Sequence, residues 1–326
     1  MRYEEPYRPR PSRRKRRSAG GCLTNLLLRL FALGLVLLLL GAGLLYALPA
    51  SLLAVEPEGV ELSLTDGLPA NRTNVLLLGL DALRENSRRS DTVMIASIDY
   101  GTLKLTSVLR DTVMDIPGHG PGKLNAAYAY GGPNLVIRTL NENLRLNIIH
   151  YIAVDYTALV KAVDALGGVE LELTEAEVSK VNAIIEASRD RLTALGYAAP
   201  ALVPGAAATR LNGVQALAYA RIRKLDSDFV RAGRQRKLLA ALLDRLRASL
   251  WNPVRLVRLA RALLDCADTS LSPLQLLLLA EKALAAGSPE QLRLPVDGAY
   301  DDDGSALTVT DPQANVGALQ MFIYGE

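Results

Sequence analysis

One stretch limits what this 326-residue chain can fold into more than any other: 26 uncharged, mostly apolar residues from Leu30 to Val55. A helix needs about 20 apolar residues to cross a bilayer, so the run is long enough to span one. Eight of the seventeen residues before Ser18 are Lys or Arg, and the side after the run carries Glu56, Glu58 and Glu61 with no cation before Arg72. The positive-inside rule then places the N-terminus in the cytosol and everything past the run outside. A cleaved signal peptide is the rival reading, but its apolar core is normally about 7–15 residues and Ala47-Leu48-Pro49-Ala50 is a poor cleavage site. The chain is thus read as a basic tail (1–22), a transmembrane helix (23–50), a stalk (51–73) and an extracytoplasmic domain (74–326), a single-pass protein of the cell membrane.

Charge divides along the same line. The whole chain sums to +3, the tail and Arg29 account for +7, and the part beyond residue 50 is left at −4. A mildly acidic domain does not suit a long nucleic acid track, and a tail of some 21 residues is too short for a helix-turn-helix reader, so no nucleic acid partner is expected. Cys22 and Cys266 fall on opposite sides of the apolar run, which excludes an intramolecular disulfide in this topology. His119 and His150 are the only histidines, leaving little material for a zinc site or a Ser-His-Asp triad.

The outer part alternates strands and helices. Asn74–Gly79 reads as a strand buried on both faces, and Val93–Ile98 with Leu103–Leu109 as a hairpin turning at Asp99–Thr102. A Pro/Gly-rich loop at Ile116–Gly122 leads to a helix from Leu124, broken at Gly131-Gly132-Pro133 and continuing to Leu144. A strand at 148–154, a helix at 157–166 and a strand at 169–173 follow. Residues 174–211 read as a helical insertion, and helices near 234–249, 254–264 and 273–285 as ordinary amphipathic packing elements with interleaved Arg. The fold expected is α/β, a layered α-β-α domain with a central mixed sheet. Asp301-Asp302-Asp303 lacks EF-hand spacing and reads as a solvated turn.

Residues 220–237 hold seven cations and only two carboxylates. On an extended segment Arg221 and Arg223 project to one face beside Tyr219, and on a following helix Arg231, Arg234 and Gln235 share a stripe. Four guanidinium groups converging in this way would grip phosphate oxygens in two-point contacts. The alternative is a solvated helix face.

A second group is acidic. Asp81 and Asp91 flank the first strand and the hairpin, and Arg110-Asp111-Thr112 should lie at the same end as Arg89. Singly, each Asp caps a turn; together, carboxylates beside several Arg are the parts that a metal-assisted pyrophosphate site requires.

The sequence resembles the LytR-CpsA-Psr family. The resemblance rests on residues 74–81 (Asn-Val-Leu-Leu-Leu-Gly-Leu-Asp), Arg89-Ser90-Asp91-Thr92, Arg110-Asp111-Thr112 and Lys123-Leu124-Asn125-Ala126-Ala127-Tyr128. It continues through Val163-Asp164-Ala165-Leu166-Gly167-Gly168-Val169 and Tyr219-Ala220-Arg221-Ile222-Arg223, followed by Asp228 and Arg234-Gln235-Arg236. Leu109 departs from the family pattern, which usually has Pro there.

The resemblance implies an extracytoplasmic phosphotransferase that moves a glycan polymer from a polyprenyl pyrophosphate carrier to a peptidoglycan hydroxyl. By motif position Asp81 and Asp91 would bind Mg²⁺ or Mn²⁺, while Arg89, Arg110, Arg221, Arg223, Arg231 and Gln235 would hold the pyrophosphate. Asp91 or Asp111 would take the acceptor proton, which makes Asp91, Arg110 and Asp111 the catalytic candidates. The alternatives are a polyprenyl pyrophosphate hydrolase and a non-catalytic sensor of lipid-linked intermediates.

Overall fold

The computed structural model describes residues 60–325 apart from 70, 81–89, 100, 195, 198–201, 223–227 and 265–266. The basic tail, the proposed membrane helix, Asp81, Arg89, Arg223, Cys22 and Cys266 lie outside the described residues. Among the described residues no helix is long and apolar enough to cross a membrane.

The chain enters through residues expected to form a stalk, but Leu62 is buried in the main core and Asn141 Nδ2 donates to its carbonyl at 2.8 Å. Strand β1 (Thr73–Leu80) follows, then β2 (Ser90–Ile98) and β3 (Leu103–Val108) as the expected hairpin, whose turn is held by Thr102 N donating to Asp99 Oδ1 at 3.1 Å. The segment expected as a Pro/Gly loop is a tight hairpin of β4 (Thr112–Ile116) and β5 (Gly120–Lys123). Gly118 and Gly120 take positive φ there, so glycines in the turn let the chain reverse within a few residues. Helix α1 (Leu124–Leu144) kinks at Gly131 and Gly132, as the Gly-Gly-Pro signal predicts.

Strand β6 (His150–Asp155) runs into α2 (Tyr156–Ala165), with Asp155 as the N-cap through a 2.7 Å bond from Ala158 N. The expected strand at 169–173 is β7 (Val169–Leu173), and the span expected as a helical insertion holds α3 (Glu175–Ala187), α4 (Arg189–Ala194) and a strand, β8 (Ala207–Leu211), which pairs antiparallel with β7. After it come α5 (Gly213–Ala220), α6 (Asp228–Ser249), α7 (Pro253–Leu264), β9 (Ala267–Thr269) and α8 (Pro273–Ala285). The chain closes with β10 (Glu290–Leu294), β11 (Tyr300–Asp302), β12 (Leu307–Val309) and α9 (Pro312–Tyr324).

The central sheet has the order β10-β3-β2-β1-β6-β9 and is mixed: β1 pairs parallel with β6 and antiparallel with β2. On one face Leu76, Leu78, Val93 and Ile95 pack against Val136, Ile137 and Leu140 of α1 and Leu319 and Ile323 of α9. On the other, α6 and α8 lie against β3 and β2. The layered α-β-α architecture therefore stands, because strands buried on both faces need helices on each.

A second core joins α2, α3, α5 and the paired strands β7 and β8. Gly168, at φ +90, and Gly213 permit close approach here: a Cβ on Gly213 would lie 2.3 Å from the Val160 carbonyl oxygen. Asp164 accepts from Gly213 N at 2.7 Å. Much of the Val163–Val169 motif is thus a joint between α2 and α5. The histidines are accounted for structurally, His119 stacked on Tyr130 at 4.3 Å and His150 within 3.3 Å of Ser270 Oγ. The acidic turn is solvated and self-bonded, with Asp303 Oδ1 accepting from Ser305 N and Ala306 N, both at 2.7 Å.

Candidate active site

Register places the site at one end of the sheet. Leu80 pairs with Ser90 on one side and Asp155 on the other, and Val93 pairs with Val108. The start of β2, the end of β3 and the end of β6 therefore meet, and residues just beyond these ends project into common space.

Asp91 is the hub. Arg110 Nη1 donates to its Oδ1 at 2.8 Å, and Tyr156 OH donates to its Oδ2 at 3.3 Å. Arg231, on α6 and 4% exposed, donates to the Asp91 carbonyl at 3.1 Å and stands 3.7 Å from Oδ2. Through Nε, Arg110 also donates to Asp111 Oδ2 at 3.0 Å, so one guanidinium bridges two carboxylates. The opposite oxygen of Asp111 meets Asn125 Nδ2 at 3.4 Å and Lys123 Nζ at 3.8 Å. Arg221 lies over the Tyr156 ring, 4.9 Å from its centroid. A small pocket is lined by Asp91, Ser107, Arg110, Arg231 and Gln235. Six predicted site residues, Asp91, Arg110, Asp111, Arg221, Arg231 and Gln235, thus fall in one neighbourhood.

Two expectations about the Arg segment need correction. Residues 213–220 form a helix and Arg221 is its C-cap, at φ −98 and ψ 0, so Tyr219 and Arg221 do not share the face of an extended strand. The helix is capped by Asn212, which accepts from Gln215 N at 2.9 Å, and all eight of its residues are buried. A short segment buried on every side has no periodicity to read. Arg234 also leaves the stripe: it donates to Glu177 Oε1 at 2.9 Å, with both side chains largely buried. Burial would raise the Glu177 pKa, but hydrogen bonds from Arg234 and the Thr174 backbone and the Arg234 charge outweigh it and hold the carboxyl below its ordinary value. Tyr219, beside this pair and buried, is pushed up to about 12.

Tyr156 and Ser107 were not singled out by sequence. Tyr156 had one available signal, its place just past the C-terminal end of a strand parallel to β1. The Ser107 hydroxyl is buried on the pocket wall with no hydrogen-bond partner among the described residues, which only the fold reveals. Asn125 and Lys123 lay inside a motif and gain a role through Asp111.

The chain is similar to proteins of known fold and name. Regulatory protein MsrR of Staphylococcus aureus (strain COL) is 28% identical over 267 residues, 77% of this chain and 74% of MsrR. Polyisoprenyl-teichoic acid–peptidoglycan teichoic acid transferase TagT of Bacillus subtilis (strain 168) is 33% identical over 179 residues, 53% of this chain and 52% of TagT. The structure of TagT bound to LIIa-WTA superposes with a TM-score of 0.64 at 25% identity, covering 82% of this chain and 99% of that one. YwtF (TagT) with bound octaprenyl pyrophosphate lipid gives a TM-score of 0.56 at 25% identity, covering 78% of this chain and 91% of that one. The LytR_cpsA_psr family model matches residues 55–319, so the strand-end Asp and Arg residues described above lie within it, and the chain belongs to that family.

Proposed function

We propose that this protein is a membrane-anchored, extracytoplasmic phosphotransferase that moves a glycan polymer from a polyprenyl pyrophosphate carrier to a peptidoglycan hydroxyl. The observation that carries the reading is the hub itself: Asp91 is held by Arg110 and Arg231, with Asp111 on the far side of Arg110. TagT and TagU are named as teichoic acid transferases, and a TagT structure holds octaprenyl pyrophosphate, which supports a lipid-linked donor here.

Arg110, Arg231 and Arg221 supply fixed positive charge for pyrophosphate oxygens, and Gln235 an amide beside them. The acceptor oxygen attacks the glycan-side phosphorus, the bond from that phosphorus to the bridging oxygen breaks, and polyprenyl phosphate leaves with the electron pair. The hydroxyl proton passes to a carboxylate, Asp91 or Asp111. A divalent cation fits this site in kind. Of the two carboxylates predicted to hold it, Asp91 offers oxygen donors only, one toward Arg110 and one toward Tyr156, and Asp81 lies outside the described residues. Such a donor set suits Mg²⁺ or Mn²⁺, which take one or two carboxylates and complete their shell with water and phosphate. Asp91, with Asp81 from outside the described residues, would hold the ion, which when bound neutralises charge on the phosphoryl oxygens.

The test is purified full-length protein with a lipid-linked glycan donor and peptidoglycan fragments, with and without Mg²⁺, read by mass analysis. A glycan joined to peptidoglycan through a phosphodiester is the expected product. Free glycan phosphate alone would make the protein a hydrolase, and donor binding without turnover would make it a sensor.

A further inference from the structure

The turn from α6 into α7 presents an apolar surface that the site does not use. Trp251 is 93% exposed, Val254 56%, Val257 53% and Leu250 47%. On α7, Val254, Val257, Arg258 and Arg261 follow the i, i+3, i+4, i+7 spacing of one helical stripe, and all four are exposed. Leu256 and Leu259 are less exposed and Ala262 is buried, while the helix packs on α2. The outward stripe is therefore apolar near Trp251 and cationic farther along, where ordinary packing would leave it polar.

Charge narrows what covers it. The exposed charges on the stripe are Arg258 and Arg261, with no Asp or Glu from 245 to 264, within an outer region that is acidic overall; Arg245 and Arg247 turn inward onto backbone carbonyls, and Asp244 pairs with Arg247. Two copies meeting through this face would set cation against cation. An anionic bilayer answers both halves of the pattern, since Trp and short aliphatic side chains settle at the headgroup boundary and arginines pair with lipid phosphates. A bilayer is also near at hand. Only residues 56–59 separate the end of the apolar run from the first described residue, a span of under about 20 Å even when fully extended.

We propose that the Leu250–Arg261 surface docks on the anionic lipid headgroups of the bilayer that carries the chain, seating Trp251 at the interface and fixing the tilt of the domain. The proposal rests on the anchored reading of residues 30–55 for proximity alone, and alkaline carbonate extraction of membranes tests that reading separately. If carbonate strips the protein, the anchor fails, and docking is still measurable with added vesicles.

Trp251 is the only tryptophan in the chain, so intrinsic fluorescence reports on this surface without labelling. Full-length protein is reconstituted in phosphatidylglycerol/phosphatidylcholine vesicles and in phosphatidylcholine alone. In anionic vesicles the emission is expected to shift to the blue, to be quenched by lipids brominated high on the acyl chain, and to be shielded from iodide. Raising salt should reverse this. Arg258→Gln and Arg261→Gln should each lower the docked-to-lifted ratio about fivefold, and neither exposed side chain is needed for folding. Val257→Asp should abolish the quenching by brominated lipid. Water-like emission with unchanged iodide access in anionic vesicles overturns the proposal. So does a blue shift that ignores brominated lipid and grows with protein density, which marks a second copy, or one produced by an anionic glycan polymer without lipid.

Discussion

Arg110 donates to Asp91 Oδ1 at 2.8 Å while its Nε reaches Asp111 Oδ2 at 3.0 Å, so a single guanidinium sets the separation of the two carboxylates. Lysine offers one point charge and cannot hold both in this planar geometry. Arg110 is thereby a spacer between them and, on the proposed function, a phosphate-binding charge.

Arg110→Lys should therefore lower transfer by about 10²–10³-fold, the scale for losing one preorganised donor, while donor affinity falls less because a cation remains. Rate at saturating donor and donor Kd, measured on one preparation, check this. Parent-like turnover in Arg110→Lys would remove the spacer role.

Asp91→Asn keeps the shape of the hub and removes its charge. Turnover should fall by about two or more orders of magnitude and lose its response to Mg²⁺, while the apolar donor chain still binds. A Mg²⁺ titration with and without chelator provides the readout. Transfer in the parent that is indifferent to chelation would sink the metal assignment.

Arg234 was grouped by spacing with Arg231, yet it pairs with Glu177 inside the second core. Arg234→Met should cost about 1–3 kcal/mol by leaving a half-buried carboxylate with only its Thr174 hydrogen bonds, and should spare donor affinity of the folded protein; Arg231→Ala should lower donor affinity as well as stability, since its buried guanidinium also holds Asp91. The Glu177 carboxyl is held below its ordinary 4.5 in the folded protein, so its contribution is full above that value and is lost as pH falls through the lowered folded value. The gap between parent and Arg234→Met in urea melts should thus narrow below about pH 4.5. A constant gap from pH 7 to 3 would contradict the pairing.

Gly213→Ala should destabilise by about 1–3 kcal/mol, because its Cβ would meet a backbone carbonyl that cannot swing aside. Gly317→Ala, in α9 with open space around the new methyl, is the matched control and should stabilise by about 0.5–1 kcal/mol. Chemical denaturation of both variants separates close packing from helix propensity.

Several elements were legible because their signal is local. The β2–β3 hairpin, the kink at Gly131 and Gly132, and the bounds of α8 at Pro273 and Ala285 follow from alternation, φ freedom and a Ser272 cap with Gln275 three residues on. The β4–β5 hairpin was missed because Pro117, Gly118 and Gly120 look the same in an open loop and in a tight turn. Helix α5 was missed because complete burial erases the amphipathic pattern.

What the sequence determined by itself was which charges exist and which lie within a turn of one another: Asp111 beside Arg110, and Arg231, Arg234 and Gln235 along one helix. Tertiary structure decided which of them meet. Asp91 and Arg110 come together because β2 and β3 pair in register, and Tyr156 joins them because β6 lies parallel to β1. Arg231 and Arg234 part because three residues of helix turn a side chain by about 300°, enough, where α6 lies between two cores, to send one toward Asp91 and the other toward Glu177. Spacing along the chain fixes angles within an element, whereas a site is made of distances between elements, and those follow from strand register and from how the cores pack.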